Sequence, residues 1–155
     1  PIRMKKYRAG FALTALAGPV SNLLAAIIAA FAHAGILATN AGYDAIFDYA
    51  VNDNISPVFC VILLLEFLVS VNVGLALFNL IPLPPLDGFN VLRYFTNEKF
   101  DRWFYIHQRE ISIGFLLFLI VFSTIDPAYN PLYFLTDAME NFVWKMVSWI
   151  PAARG

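Results

Sequence analysis

Long apolar runs alternate with short polar segments along this chain. No Asp, Glu, Lys or Arg occurs in residues 9–41, and residues 55–86 contain one charged residue, Glu66. Residues 111–125 form a shorter uncharged run. A helix that crosses a bilayer needs about 20 apolar residues. The runs therefore predict three membrane-spanning helices, at about residues 10–38, 55–81 and 106–125. The third is long enough only if it begins before its uncharged run.

Two polar segments have the pattern of helices at a membrane surface. Residues 89–109 mix aromatic and basic side chains, which suits an interfacial helix. Residues 130–150 place apolar side chains at helical spacing with charged ones between them, which predicts an amphipathic helix. We therefore predict an all-α integral membrane protein with about three transmembrane helices and one or two interfacial amphipathic helices. Its membrane core would comprise residues 1–126 and its C-terminal amphipathic helix residues 127–155.

Composition and charge support this class and indicate an orientation. The chain is 60% hydrophobic and 14% charged, whereas soluble domains carry about 25% charged residues. Four Lys or Arg residues precede the first run, and none occurs in the acidic segment 39–54, which we expect to be a loop. Four more occur in residues 89–109. Cytoplasmic loops carry the excess of Lys and Arg. This pattern predicts that the N-terminus and the segment after residue 86 face the cytoplasm, and that the acidic loop faces outward. No basic patch typical of nucleic-acid binding is present.

The second apolar run ends at a cluster of prolines followed by a carboxylate. Pro82, Pro84 and Pro85 end a helix, because each lacks a backbone N–H. Non-helical backbone at membrane depth is tolerated only where protein or water surrounds it. The pattern predicts a pocket with Asp87 at its edge and a tight turn or close backbone approach at Gly88. That carboxylate could bind zinc, relay protons or bind another cation, and its residue type alone does not choose among these roles.

Other polar residues fall inside the apolar runs. Asn72 and Asn79 share one helical face and suggest a polar seam that leads towards the carboxylate. Asn22 is predicted to be a hydrogen-bonded amide in a protein-packed segment. His33 is expected to be hydrogen-bonded rather than a metal ligand. Glu66 is predicted to be a neutral, hydrogen-bonded glutamate, with an ion or proton pathway as the alternative.

Two short motifs resemble those of a known family. Residues 79–88 closely resemble the Asn-x-x-Pro-x-Pro-x-Leu-Asp-Gly motif of site-2 protease family intramembrane zinc metalloproteases. Residues 17–22, Ala-Gly-Pro-Val-Ser-Asn, look like that family's Gly-Pro-x-x-Asn motif in an earlier helix. The resemblance covers most of residues 1–125 and is greatest to the small bacterial members, which implies a bacterial plasma membrane. Its motif residues are Gly18, Pro19, Pro82, Pro84 and Gly88.

The resemblance implies a function and roles for particular residues. Asp87 matches the third protein ligand of a catalytic Zn²⁺, and Asn79 matches a residue that contacts the substrate backbone. Asn22 matches a residue that helps to shape the site. Substrates would be membrane proteins, cleaved within or beside their membrane segments.

The chain departs from the family pattern because it contains no H-E-x-x-H sequence. Its two histidines, His33 and His107, have no histidine four residues away. We therefore expect no catalytic residue in this chain. The general base and two histidine ligands would come from an N-terminal segment or a companion chain. The alternatives are a non-catalytic membrane subunit derived from the family and, further from the pattern, an ion- or proton-conducting protein that depends on Glu66.

Overall fold

The computed structural model describes residues 2–124 and 131–152, with side chains for 9–121, 124 and 133–152. These residues form seven helices and no strand, which confirms the all-α prediction. The helices are α1 (Ile2–Leu37), α2 (Asn40–Asn52), α3 (Pro57–Leu80), α4 (Asp87–Phe95), α5 (Glu98–Ile106), α6 (Gln108–Ser123) and α7 (Pro131–Val147).

Two of the described helices are long and apolar enough to cross a membrane by themselves. They are the Ala9–Leu37 part of α1 and the whole of α3. Helix α6 has 16 residues, about 24 Å at 1.5 Å per residue, and a bilayer core is about 30 Å thick. Helices α5 and α6 qualify only as a pair, and the pair is bent by 69°. The described part of the chain therefore has two candidate spans, or three if the bent pair counts as one.

The acidic segment between the first two candidate spans is a helix, so the prediction of a loop is wrong there. The Thr39 side chain caps α2 by accepting the backbone N–H of Gly42 at 3.2 Å. Asp53 ends the helix in the left-handed conformation, at φ 52°. Tyr49 stacks on Phe59 of α3 with ring centroids 4.2 Å apart. Good caps at both ends and aromatic packing outweigh the acidic composition that suggested a loop.

The aromatic and basic segment that follows Asp87 is divided into two short helices, whereas the sequence predicts one. Asn97 starts α5 by accepting a backbone N–H of its first turn through its side chain. Helices α4 and α5 pack through Phe89 and Phe104, whose ring centroids lie 4.1 Å apart. An ion pair joins Arg93 Nε to Asp101 Oδ1 at 3.4 Å. The side-chain cap at Asn97 explains why one helix ends and another begins within this segment.

The chain forms two compact units, and each is built from more than one stretch. The first comprises Pro1–Ser21 and Leu75–Leu135, and the second comprises Asn22–Gly74 and Thr136–Gly155. The predicted division at residues 126 and 127 falls outside the described residues and stays a prediction. The core of the second unit contains small and β-branched side chains that are almost completely buried: Ala26, Ala30, Val69, Val73 and Val143.

Candidate functional site

Asp87 is the first residue of α4 and directly follows the proline-rich loop. Within that loop, the Leu83 N–H bonds to the carbonyl of Ile81 at 2.8 Å, and the Leu86 N–H bonds to the carbonyl of Leu83 at 2.9 Å. Pro84 is buried, and its carbonyl accepts a long 3.5 Å hydrogen bond from Ser112 of α6. Local turns and one contact from α6 thus hold the loop that delivers the carboxylate.

Gly88 lies where the backbone of α4 closely approaches the end of α3. A Cβ atom at this position would overlap the carbonyl groups of Leu80 and Ile81. Gly88 is buried, and none of the described glycines has a positive φ. Lack of space, rather than an unusual backbone conformation, therefore accounts for glycine after Asp87.

The Asp87 carboxylate is half-buried and lies against α1. An ideal Cβ built on Gly18 would be 3.2 Å from Asp87 Oδ2. Within the part of the chain whose side chains are described, no hydrogen bond or ion pair engages this carboxylate. An ionised carboxylate has about four lone-pair sites to offer. Asp87 therefore presents acceptor capacity that the described residues leave unused.

The two asparagines of the predicted seam behave differently. Asn72 Nδ2 donates to the carbonyl of Leu68 at 2.8 Å, so part of its hydrogen-bonding capacity is used within α3. Asn79 is half-buried near the C-terminal end of α3, and no described residue hydrogen-bonds its amide. The two residues also belong to different compact units. Of the two, only Asn79 shares a unit with Asp87.

The Gly-Pro-x-x-Asn residues lie in the middle of α1. Pro19 is inside the helix and cannot donate a backbone hydrogen bond. Ser21 Oγ donates to the carbonyl of Gly18 at 2.8 Å. Asn22 is half-buried and begins the second unit. Pro82, of the later motif, is exposed in the loop.

A second polar cluster lies in the second compact unit. His33 Nε2 of α1 is 3.9 Å from Glu66 Oε1 of α3. The His33 ring also meets the edge of Trp144 of α7, with centroids 4.9 Å apart. Ser70 Oγ of α3 donates to Glu140 Oε1 of α7 at 2.8 Å. These contacts join the helices of the second unit.

The sequence analysis missed the pairing of His33 with Glu66, although a signal was present. Each is the only histidine, lysine, arginine or acidic residue within its candidate span. Ionisable groups inside a membrane commonly pair with one another or with backbone carbonyls. Two apolar spans with one such residue each are therefore expected to bring the two together.

The residues of this chain fit a zinc ion only as part of a larger ligand set. Zinc takes Cys, His, Asp or Glu ligands, with three protein ligands in catalytic sites. In residues 2–124 and 131–152, no group of three such side chains lies close enough to hold a metal ion. Asp87 fits as a single ligand, because its unengaged oxygens are of the type that zinc binds.

Comparisons with known proteins agree with the motifs. The profile of Peptidase family M50 matches residues 3–123. A protein of Bacillus subtilis (strain 168) named "Putative zinc metalloprotease YwhC" is 32% identical over 144 residues. The match covers 93% of this chain, and the chain spans 59% of that relative's length. No solved structure matches the chain.

The family match extends over the helices that carry both motifs. It includes most of α1, all of α3 and the loop that leads to Asp87. The resemblance to the site-2 protease family is thereby confirmed. The chain belongs to Peptidase family M50, the site-2 protease family.

Proposed function

We propose that this chain forms part of an intramembrane zinc metalloprotease and that Asp87 is one of its zinc ligands. The substrates would be membrane proteins, cleaved within or beside their membrane segments. Membership of Peptidase family M50 supports the protease function. The observation that carries the ligand role is the half-buried Asp87 carboxylate, which no described residue engages.

The local structure suits a carboxylate that binds a cation. Asp87 is the first residue of α4, and the partial positive charge at a helix N-terminus is favourable for an acidic side chain. The loop before it and the close packing of Gly88 against the end of α3 restrict the backbone on both sides. A zinc ion bound there would supply a Lewis acid and a bound water with a pKa lowered to about 7. The role of this chain is to hold one ligand oxygen in a restricted position.

Asn79 is proposed to act on the substrate rather than on the metal. An asparagine amide offers two donors and an acceptor, which match the N–H and C=O groups of an extended peptide. No described residue hydrogen-bonds the Asn79 amide, and Asn79 belongs to the same compact unit as Asp87. We assign it to the substrate backbone. The role of Asn22, which belongs to the second unit, stays a prediction.

The rest of the catalytic machinery is proposed to come from outside these residues. Two histidine ligands and a general base would be supplied by a further segment of the polypeptide or by a companion chain. The distribution of Lys and Arg supports a cytoplasmic position for the N-terminus and for Asp87. The Bacillus relative supports a bacterial plasma membrane as the location.

Removal of the Asp87 charge tests the proposal directly. Asp87→Asn would be introduced into the full-length gene product, which is purified in detergent and analysed for zinc by mass spectrometry. We expect the variant to lose most of its zinc and its proteolysis of a membrane-anchored substrate. Glu98→Gln is the matched control, because Glu98 is an exposed carboxylate at the first residue of α5. It should keep both properties.

Two results would contradict the proposal. If Asp87→Asn keeps full zinc occupancy and full proteolysis, Asp87 is not a ligand. If the unsubstituted full-length protein binds no zinc and cleaves no membrane-anchored substrate, the non-catalytic subunit is the better description.

A further inference from the structure

We infer that Gly18 is a positioning residue for Asp87, because the absence of a side chain at position 18 leaves the space beside the carboxylate oxygen Oδ2. The inference rests on the proposed role of Asp87 as a zinc ligand. It assigns a specific task to the glycine of the Gly-Pro-x-x-Asn motif. That task is to let the carboxylate approach the backbone of α1.

The contact at Gly18 differs from the surroundings of the other glycines in α1. A Cβ on Gly18 would lie 3.2 Å from Asp87 Oδ2, and no other described atom is within 4 Å of it, apart from its chain neighbours and the nearby backbone of α1. With the same exceptions, a Cβ on Gly10 or Gly35 would meet no described atom within 4 Å. Among the described residues that belong to other helices, the Asp87 carboxylate is therefore the one group that would crowd a side chain at position 18.

The size of the expected displacement matters for a metal ligand. A contact of 3.2 Å is tighter than nine in ten Cβ contacts, and relief requires the neighbour to move by a few tenths of an ångström. A carboxylate can do this by rotating, so alanine at position 18 is compatible with folding. Zinc–oxygen bonds of about 2.0–2.2 Å, however, are held within about ±0.2 Å. The movement that relieves the contact is therefore as large as the tolerance of the bond.

The first experiment compares zinc retention among glycine variants of the full-length gene product. Gly18→Ala is expected to weaken zinc binding, measured against a competing chelator, by about 10-fold to 100-fold, the range for residues that orient metal ligands. Gly10→Ala and Gly35→Ala are the matched controls in the same helix and should bind zinc as the unsubstituted protein does.

Cobalt substitution supplies a readout that a purely structural role would not change. The visible absorption of Co²⁺ depends on the geometry of its ligands. Gly18→Ala should shift these bands, and the two control variants should not. If Gly18→Ala matches the controls in both zinc affinity and cobalt spectrum, the inference is wrong.

A double-mutant cycle tests the contact without any metal. In an Asp87→Ala background the crowding oxygen is gone, and alanine is a better helix former than glycine. Gly18→Ala should then raise the unfolding midpoint of the apoprotein, and raise it more than in the presence of Asp87. Equal shifts of the unfolding midpoint with Asp87 and with Ala at position 87 would contradict the inference. Failure of Gly18→Ala to fold in both backgrounds would also contradict it. Failure to fold only when Asp87 is present would support it.

The two proposals fail in distinguishable ways. Full zinc occupancy in Asp87→Ala overturns the proposed function and, with it, the positioning role. Loss of zinc in Asp87→Ala together with normal zinc affinity in Gly18→Ala leaves the proposed function intact and overturns only the role of Gly18.

Discussion

Replacement of Gly88 by alanine tests whether close backbone packing holds the Asp87 carboxylate, which we propose as a zinc ligand. The added methyl group would overlap the carbonyl groups of Leu80 and Ile81. These are backbone atoms, so they cannot rotate away as the end of a long side chain can. Relief requires the start of α4 to move from the end of α3, and Asp87 moves with it. We therefore expect a loss of both stability and zinc.

The magnitude follows from two opposing contributions. Alanine is favoured over glycine inside a helix by up to about 1 kcal/mol. Overpacking in a filled space costs about 1–3 kcal/mol, and relief by backbone movement lies at the upper end of that range. The free energy of unfolding should therefore fall by about 2–3 kcal/mol. Gly114→Ala is the matched control, because Gly114 is an exposed glycine of α6 and no described atom of another helix lies within 4 Å of its Cβ position. It should be neutral or stabilising by up to about 1 kcal/mol.

The assay is unfolding of the detergent-solubilised full-length protein, followed by circular dichroism, with bound zinc measured on the same samples. Gly88→Ala should unfold more readily than Gly114→Ala and should retain less zinc. Equal stability and equal zinc content of the two variants would show that the predicted overlap does not restrict the site.

Three further predictions concern the second compact unit. Thr39→Ala removes the cap of α2 and should destabilise that helix by about 1 kcal/mol. The amide hydrogens of α2 should then exchange faster in Thr39→Ala, whereas Thr39→Ser should show no such increase. Ser70→Ala removes the hydrogen bond to Glu140 and should lower the free energy of unfolding by about 0.6 kcal/mol. Glu140→Gln keeps an acceptor and should lower the free energy of unfolding by less. A larger loss of stability in Glu140→Gln than in Ser70→Ala would refute this assignment. The side-chain amides of Asn52 and, to a smaller extent, Asn54 donate to Asp48 and hold the pKa of that carboxyl below its ordinary value. This contribution to stability is present above about pH 4, the unfolded pKa, and is lost as the pH falls through the lower folded pKa. Asn52→Ala should raise the pKa of Asp48 in an NMR titration, and an unchanged value would contradict the assignment.

The candidate spans and the site motif were accessible from the sequence because their signals are local. The absence of charge over residues 9–41 and the apolar run before the prolines predict membrane helices from length and composition alone. The three prolines predict the end of α3, and the Leu-Asp-Gly sequence identifies Asp87 as the candidate site residue. The acidic segment 39–54 was misjudged, because its composition suggested a loop whereas its caps and its packing on α3 make it a helix.

The sequence by itself thus determined the class of protein, its helical architecture and the carboxylate on which the proposed function depends. Only the tertiary structure decided which residues meet. It placed Asp87 Oδ2 against Gly18, left that carboxylate without a described partner, and paired His33 with Glu66. The physical reason is that apolar length and proline breaks act within one stretch of chain. A contact between residues on different helices depends on how those helices pack, and many packings share the same local pattern.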